Sequence, residues 1–284
     1  LGLLDEDRAA AHPALYADFA AVVRRLRRDC PWDRAQTHDS VKHLTIEEAH
    51  ELVEAIDAGD PEGLKKELGD LFLHVLFHAH IAETEGTFTI ADVMEAAIAK
   101  LVRRHPHVFG RVAVSGTDEV LRNWEAIKQA ERAAASGPAR SVLAGVPATL
   151  PALLRAERVQ EKAAAVGFDF PDGPSAWDKV REELSELEAL ASEGAAPEAL
   201  EDELGDVLFA LVNYARFVGV VPENALRRTV GKFTRRFAHV EARLAAAGRR
   251  PQDASLGEMD ALWDEAKRAE PAPAEPPPEA RAAR

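Results

Sequence analysis

Apolar positions along the chain recur with the spacing of helices, and the alternation typical of β-strands is hard to find. Ala, Leu, Glu and Arg fill the periodic stretches, while Pro and Gly concentrate between them, as at Gly59, Pro61 and Gly86. This pattern predicts an all-α protein. The predicted helices cover residues 13–29, 45–58, 61–85, 90–104, 118–134, 151–166, 175–191, 197–218, 222–247 and 255–269.

Two segments interrupt the periodic pattern. Residues 135–149 contain two Gly and Pro clusters, which predicts a linker. Beyond Glu270 the Pro-rich sequence has no apolar face to bury, which predicts a disordered tail. We therefore expect an N-terminal helical domain over residues 1–134, a linker over 135–149, a C-terminal helical domain over 150–270 and a tail over 271–284.

The charged residues occur in two copies at a nearly constant offset. The acidic residues of the first copy are Glu47, Glu48, Glu51, Glu67 and Asp70, and those of the second are Glu182, Glu183, Glu186, Glu203 and Asp206. The basic and aromatic residues repeat likewise, as Lys100, Arg103, Arg104, Trp124 and Lys128 and then as Lys232, Arg235, Arg236, Trp263 and Lys267. Because the offset drifts only between helices, the repeat predicts two homologous domains in tandem.

The acidic residues of each copy are spaced to converge. Glu183 and Glu186 share one helix face, and Glu203 and Asp206 share a face of the next helix, which a short turn makes antiparallel to the first. Such a concentration of carboxylates is unfavourable without cations, and oxygen ligands suit Mg²⁺ or Mn²⁺. The spacing predicts a divalent-metal site in the second copy, and a second candidate site at the first-copy acids.

Other interpretations of the same residues exist. An isolated EExxE is more often a solvated face paired with Lys or Arg. Three observations favour metal binding instead. The ExxD motif follows on the next helix, the whole set occurs twice, and apolar neighbours predict that the ExxD helix is largely buried. These neighbours are Leu204, Val207, Leu208 and Leu211. A di-iron or di-manganese bundle needs ExxH on two helices, which the second copy lacks. His74, His78 and His80 have no histidine counterparts there, so we interpret them as packing or surface residues.

The overall charge narrows the choice of ligands. A formal net charge of -14 argues against a general nucleic-acid binder. Cys30 is the only cysteine, which excludes an intrachain disulfide framework and favours a cytoplasmic location, and no apolar stretch is long enough for a membrane helix. Lys179, Lys232 and Arg236 form a small basic set that would suit a phosphate chain beside a metal.

Taken together, these motifs resemble the MazG family of all-α nucleoside triphosphate pyrophosphohydrolases, in its tandem-domain form. The resemblance covers residues 15–268 in order. It rests on EExxE, the spaced ExxD, the Lys-x-x-Arg-Arg and Trp-x-x-x-Lys motifs in both copies, and in the first copy on Cys30-Pro31-Trp32-Asp33, Gln36-Thr37-His38 and residues 103–109.

The resemblance implies a homodimer that hydrolyses nucleoside triphosphates to monophosphate and pyrophosphate with Mg²⁺, clearing aberrant or excess nucleotides. We expect Glu183, Glu186, Glu203 and Asp206 to hold the metal, with Glu182 orienting a water molecule. Lys179, Lys232 and Arg236 would hold the phosphates, and Trp263 and Lys267 would contact the nucleotide. Leu44 replaces Lys179 in the first copy, so the second copy is the expected main site.

Two alternatives remain at this point. The tandem bundles could form a catalytically silent metal or nucleotide sensor, which would bind Mg²⁺ and nucleotide without turnover. A narrower enzyme, acting on dUTP or phosphoribosyl-ATP, shares the acidic motif, but the tandem repeat and the CPWD segment favour MazG. We expect neither a nucleic-acid nor a membrane partner.

Overall fold

A computed structural model of the chain describes residues 13–135 and 141–270, so the predicted tail lies outside the described residues. The chain divides into two compact units, Leu1–Arg132 and Ala133–Arg284. Across the described ranges the regular structure is helical, without a strand, which confirms the all-α prediction. The exact domain boundaries proposed from the sequence stay predictions.

Seven helices begin within the described part of the first unit. They are α1 (Pro13–Asp29), α2 (Pro31–Ala35), α3 (His38–Ala58), α4 (Pro61–Thr84), α5 (Ile90–Arg104), α6 (Pro106–Phe109) and α7 (Thr117–Ala135). Gly59, at φ 63°, ends α3 in the left-handed conformation, and Asp60 caps α4, so the two form a tight antiparallel hairpin. The core lies where α1 crosses this hairpin, and consists of Val23, Val41, Leu76, Phe77 and Ile81.

The second unit repeats this hairpin. Its described helices are α8 (Ala152–Ala164), α9 (Gly173–Glu193), α10 (Pro197–Phe217), α11 (Pro222–Ala246) and α12 (Leu256–Ala269), with a 3₁₀ turn at Pro251–Asp253. Gly194, at φ 70°, ends α9 before α10 returns. Val180 and Val212 are almost fully buried along this hairpin, and α8 packs across it through Gln160, whose Nε2 donates to the Phe209 carbonyl at 2.8 Å.

Helix α3 begins earlier than the apolar pattern predicts, at His38 rather than residue 45. Thr37 accepts a hydrogen bond from the Ser40 amide, and the Ser40 side chain accepts one from the Thr37 amide. This capping box starts two turns of mostly polar sequence that the periodicity does not detect. The short helices Pro31–Ala35 and Pro106–Phe109 were not predicted either, because a helix of little more than one turn is too short to show an apolar period.

Four helices present exposed apolar residues one turn apart, which we call the apolar rows. The rows are Leu68, Phe72 and Val75 on α4, Leu204, Leu208 and Leu211 on α10, Met94, Ile98 and Leu101 on α5, and Leu226, Val230 and Phe233 on α11. The expectation that the second ExxD helix is largely buried is therefore wrong for the single chain. Only the side of α10 that carries Val207, Ala210 and Val212 is buried.

Within the described residues, no individual helix has both the length and the apolar composition needed to cross a membrane. The sharply bent pair formed by α10 and α11 meets those criteria only when the two helices are taken together.

Candidate metal centres and nucleotide site

In the second unit, facing turns of α9 and α10 bring three of the five predicted acids together. Oxygen atoms of Glu183, Glu203 and Asp206 all lie within 4.8 Å of one another. Glu183 comes from the EExxE helix, and the other two come from the ExxD helix, so the i, i+3 spacing and the hairpin place them as the sequence predicts. Three oxygens at this separation can surround one small cation.

Among the acids of this cluster, Glu203 has the most strongly shifted pKa. Loss of hydration, followed by the charges of Glu186 and Glu183, raises its pKa. Its Oε1 atom is buried and has no hydrogen-bond partner among the described residues. Glu186 is therefore close to the cluster, although its own carboxylate is not one of the three that converge within 4.8 Å.

Lys179 neutralises part of this charge. Its Nζ donates to Glu182 Oε1 at 2.6 Å and lies 2.7 Å from Glu183 Oε1. These contacts raise the pKa of Lys179, so the side chain is fully protonated. Glu182 is 56% exposed and is held by the lysine outside the convergent group, whereas the Glu183 side chain is only 9% exposed.

The first unit builds the same triad from Glu48, Glu67 and Asp70, whose oxygens also lie within 4.8 Å of one another. Burial, then the charges of the other acids, raises the pKa of Glu48. Glu67 is 7% exposed, and its Oε2 has no hydrogen-bond partner among the described residues. Glu47 and Glu51 are exposed and lie outside the triad.

Lys66, which no sequence motif singled out, neutralises part of the charge of the first-unit triad. Its Nζ donates to Glu67 Oε1 at 2.9 Å and lies 3.8 Å from Asp70 Oδ2. Lys66 stands on α4, whereas Lys179 stands on α9, the counterpart of α3. The available signal was the pair of lysines directly before the first Glu-Leu-Gly-Asp sequence, which looks like an ordinary solvated pair.

The histidines of the first unit form a hydrogen-bonded network beside this triad. His38 Nδ1 and His78 Nδ1 are 2.8 Å apart, and Thr45 Oγ1 lies 3.1 Å from His78 Nε2 and 3.0 Å from His74 Nδ1. His74 Nε2 is 4.0 Å from Glu48 Oε1. Burial lowers the pKa of both His74 and His78. Burial thus disfavours the charged form of both side chains, and their hydrogen bonds make them connected packing residues.

The glycine between the two acids of each ExxD motif does not bring helices closer within the chain. A Cβ atom added at Gly69 or Gly205 would meet no heavy atom within 4 Å. The close helix approach suggested for Gly205 by the sequence is therefore absent from the described residues.

A divalent cation fits both triads. Each consists only of carboxylates, the ligands that Mg²⁺ and Mn²⁺ prefer. Each also keeps one buried oxygen without a partner, Glu67 Oε2 in the first unit and Glu203 Oε1 in the second. Such an atom is costly to bury unless a donor or a cation meets it.

The predicted nucleotide-binding residues gather on α11 and α12. The Arg236 guanidinium lies 5.7 Å from the centre of the Trp263 ring, which also contacts Phe233 at 4.9 Å. Lys232 is exposed, and Lys267 pairs with Asp264 at 3.6 Å. Among the ion pairs that the structure describes, none connects these residues to the acidic cluster on α9 and α10.

Comparison with known proteins identifies the family. The sequence profile of the MazG nucleotide pyrophosphohydrolase domain matches residues 36–109 and again residues 175–241, once in each unit. The chain is 41% identical over 256 residues to the Thermotoga maritima nucleoside triphosphate pyrophosphohydrolase/pyrophosphatase MazG, covering 89% of this chain and 96% of that protein. The chain belongs to the MazG family.

Two further relatives support this assignment. An Escherichia coli nucleoside triphosphate pyrophosphohydrolase is 42% identical over 253 residues, covering 88% of this chain and 95% of that protein. The Bacillus subtilis protein YabN is 48% identical over 257 residues, covering 90% of this chain but only 52% of YabN. The chain thus spans about half of the Bacillus relative and nearly all of the other two. Both acidic triads fall within the residues matched to the MazG domain.

Proposed function

We propose that this MazG-family chain hydrolyses nucleoside triphosphates to nucleoside monophosphate and pyrophosphate with Mg²⁺, for which Mn²⁺ can substitute, and so clears aberrant or excess nucleotides. The observation that carries the proposal is the carboxylate triad of Glu183, Glu203 and Asp206, with its buried, partnerless Glu203 oxygen. The similarity to the Thermotoga and Escherichia nucleoside triphosphate pyrophosphohydrolases supports the same reaction.

In this proposal the metal ligands of the second unit are Glu183, Glu186, Glu203 and Asp206. When bound, Mg²⁺ supplies the positive charge that polarises the phosphate oxygens. The carboxylate of Glu203 is repelled most by Glu186 and next by Glu183, so a cation would relieve the repulsion among all three. Glu186 lies at the edge of the triad and completes the ligand set.

Glu182 orients the water molecule that attacks the triphosphate. The water oxygen forms a bond to the α-phosphorus as the bond from that phosphorus to the bridging oxygen breaks, and the water proton passes to the carboxylate. Pyrophosphate leaves with the bridging oxygen. Lys179 holds Glu182 at 2.6 Å before substrate binds, and its ammonium group also suits a phosphate oxygen.

Lys232 and Arg236 bind the phosphate chain, and Trp263 packs against the sugar or base while Lys267 contacts the nucleotide. The Arg236 guanidinium lies over the Trp263 ring, and this cation–π contact stabilises the positions of both side chains. The second unit is the main site in this proposal because it carries Lys179, whereas the first unit has Leu44 at the corresponding position.

We also propose that the chain is a homodimer, with a second copy covering the apolar rows. The rows on α4 and α10 occupy matching positions in the two units, as do those on α5 and α11. Exposed contiguous apolar rows typically mark a protein interface. Because no described ion pair connects α11 and α12 to the acidic cluster within one chain, we infer that the partner's basic helices complete each site.

Replacing Leu208 and Leu211 with Glu should give a monomer in light scattering and abolish turnover. A dimer that persists in this variant would contradict the proposed interface.

The decisive experiment measures pyrophosphate and monophosphate release from a panel of ribo- and deoxyribonucleoside triphosphates, including dUTP, with Mg²⁺ or with EDTA. We expect metal-dependent release in wild type, loss in Glu183→Gln, and wild-type rates in Glu188→Gln, a matched change on an exposed position of the same helix. Nucleotide binding without turnover would favour the sensor alternative, and turnover of a single nucleotide would favour a narrower enzyme. The cytoplasmic location proposed from the single cysteine is a separate prediction.

A further inference from the structure

The last helix of each unit positions a glutamate against the basic pair of the preceding long helix. In the first unit, Arg104 Nε and Nη2 donate to Glu131 Oε2 at 3.0 and 2.6 Å. In the second unit, Arg236 Nε and Nη2 donate to Glu270 Oε2 at 3.1 and 2.6 Å. The same two nitrogens of the guanidinium and the same carboxylate oxygen are used both times.

These glutamates occupy the same place in the internal repeat. Glu131 follows Lys128 by three residues, and Glu270 follows Lys267 by three residues. Each also faces the neighbouring arginine, since Arg103 Nε donates to Glu131 Oε1 at 2.6 Å and Arg235 Nη2 lies 3.9 Å from Glu270 Oε1. The Trp-x-x-x-Lys motif therefore extends to Trp-x-x-x-Lys-x-x-Glu in both copies.

The pairs are partly buried and fully ionised. Arg236 is 16% exposed and Glu270 is 29% exposed, and the corresponding values are 24% for Arg104 and 21% for Glu131. Hydrogen bonds from Arg104 and Arg103 lower the pKa of Glu131 to about 2, and Arg236 lowers the pKa of Glu270 in the same way. Such partly shielded, charge-assisted bonds hold a guanidinium more firmly than an exposed pair does.

The glutamate occupies only one edge of the guanidinium. An arginine has five N–H donors in a planar fork, and the Nε and Nη2 edge faces the carboxylate. The Nη1 donors remain on the other edge, while the guanidinium is held by Glu270 and lies 5.7 Å from the centre of the Trp263 ring. An arginine fixed in this way loses less conformational entropy when it binds an anion.

We propose that Glu270, and Glu131 in the first unit, are positioning residues that orient Arg236 and Arg104 so that the Nη1 edge receives a phosphate oxygen of the nucleotide. The inference rests on the proposed function, which supplies the phosphate ligand. It assigns a role to a residue outside the acidic and basic motifs. The competing idea, that Glu270 blocks the arginine until substrate displaces it, predicts the opposite effect of removing the carboxylate.

The test compares Glu270→Gln, Glu270→Asp and the control Glu241→Gln, an exposed position on α11. We expect Glu270→Gln to raise KM for the nucleoside triphosphate about tenfold while changing kcat much less, because a mispositioned arginine weakens phosphate binding. Glu270→Asp, which keeps the charge, should lie between wild type and Glu270→Gln. Glu131→Gln should have a smaller effect, and Glu241→Gln should match wild type.

A double-mutant cycle separates positioning from a general loss of stability. In the Arg236→Lys background, Glu270→Gln should have almost no further effect on KM, since the fork that it orients is gone. Binding of a non-hydrolysable nucleoside triphosphate with Mg²⁺, measured by calorimetry, should weaken by the same factor. An unchanged or lowered KM in Glu270→Gln, or full additivity with Arg236→Lys, would overturn the inference. A wild-type protein that binds the analogue but releases no pyrophosphate would instead refute the proposed hydrolysis, and the calorimetric comparison would still decide the role of Glu270.

Discussion

The two acidic triads converge within the same distance but take their compensating lysine from opposite helices of the hairpin. Glu48, Glu67 and Asp70 face Lys66 from the ExxD helix, whereas Glu183, Glu203 and Asp206 face Lys179 from the EExxE helix. Three convergent carboxylates need a cation in the metal-free protein, and a lysine on either helix can provide it. The requirement for charge compensation is thus common to both units, but its source differs.

The surroundings of the triads differ as well. The first unit connects His38, His78, Thr45 and His74 next to its triad, and the second unit places Tyr214 against Trp177 at 4.7 Å in the corresponding region. A chain of histidines joined through Thr45 is held by directional hydrogen bonds, while an aromatic pair is held by packing. The region beside the first triad is therefore connected by polar contacts, whereas the corresponding region of the second unit contains an aromatic pair.

The largest expected difference between the triads is catalytic. Glu203→Gln should lower kcat/KM about 10²-fold or more, because it removes a ligand from the proposed main site. Glu67→Gln, the matched change in the first unit, should leave more than half of the activity. Pyrophosphate release at saturating and limiting substrate measures both. Equal losses in the two variants would mean that both units turn over substrate or that their sites are coupled.

A transplant of the lysine tests whether its helix of origin matters. Asp202 stands where the first unit has Lys66, so Lys179→Leu with Asp202→Lys rebuilds the first-unit arrangement in the second unit. Lys179→Leu alone should lower both the melting temperature in EDTA and turnover, the latter about tenfold. The added lysine should restore the melting temperature but not the turnover. Restored turnover would show that any nearby cation suffices.

The histidine network provides a smaller, structural difference. Thr45→Val installs the residue that the second unit has at this position, Val180, and removes the hydroxyl between His74 and His78. We expect the first unit to lose about 1–2 kcal/mol of stability, because half-buried ring nitrogens lose their partner. Urea unfolding, monitored for the first unit by amide hydrogen exchange, measures the loss. A change of similar size in the second unit would contradict a local effect.

The smallest predicted effect concerns pH. The native fold raises the pKa of Glu48 and Glu203 above the ordinary value of 4.5, so their ionisation opposes folding above that value. The variant with both residues changed to Gln should therefore be more stable than wild type at pH 7 in EDTA. The difference should shrink as the pH falls through the raised pKa values towards 4.5. Thermal unfolding across this range tests the sign, and a gap that grows on acidification would refute it.

Much of the fold could be predicted from local sequence signals. Proline at helix starts, glycine at exits and the helical period placed most of the helices, because these effects act within a few residues. The spacing of Glu183 to Glu186 and of Glu203 to Asp206 indicated which carboxylates could converge. Helix α3 began earlier than predicted because a capping box, not an apolar period, sets its start at Thr37.

The contacts that were missed depend on how the helices pack rather than on local spacing. Lys66 looks like a solvated lysine until the hairpin brings its neighbouring acids against Glu48, and His38 meets His78 only after the chain has folded. The pairing of Arg236 with Glu270 depends on how α12 lies along α11, which periodicity does not specify. The exposure of Leu204 and Leu208 could not be predicted either, because apolar residues recur with the same spacing whether they face a core or an interface.

In the proposed homodimer the apolar rows create a problem of specificity, because one chain carries two sets of similar exposed apolar surfaces. If a row of the first unit pairs as readily with a second-unit row of the next molecule, the assembly does not close, and head-to-tail chains grow without limit. Small differences in shape oppose this outcome. Phe72 and Val75 occupy the repeat positions that Leu208 and Leu211 occupy in the second unit. Two rows from the same unit type can therefore match in size, whereas a first-unit row against a second-unit row leaves gaps or clashes. Exchanging these side chains between the units would therefore shift the balance from closed particles to polymers, which sedimentation would detect.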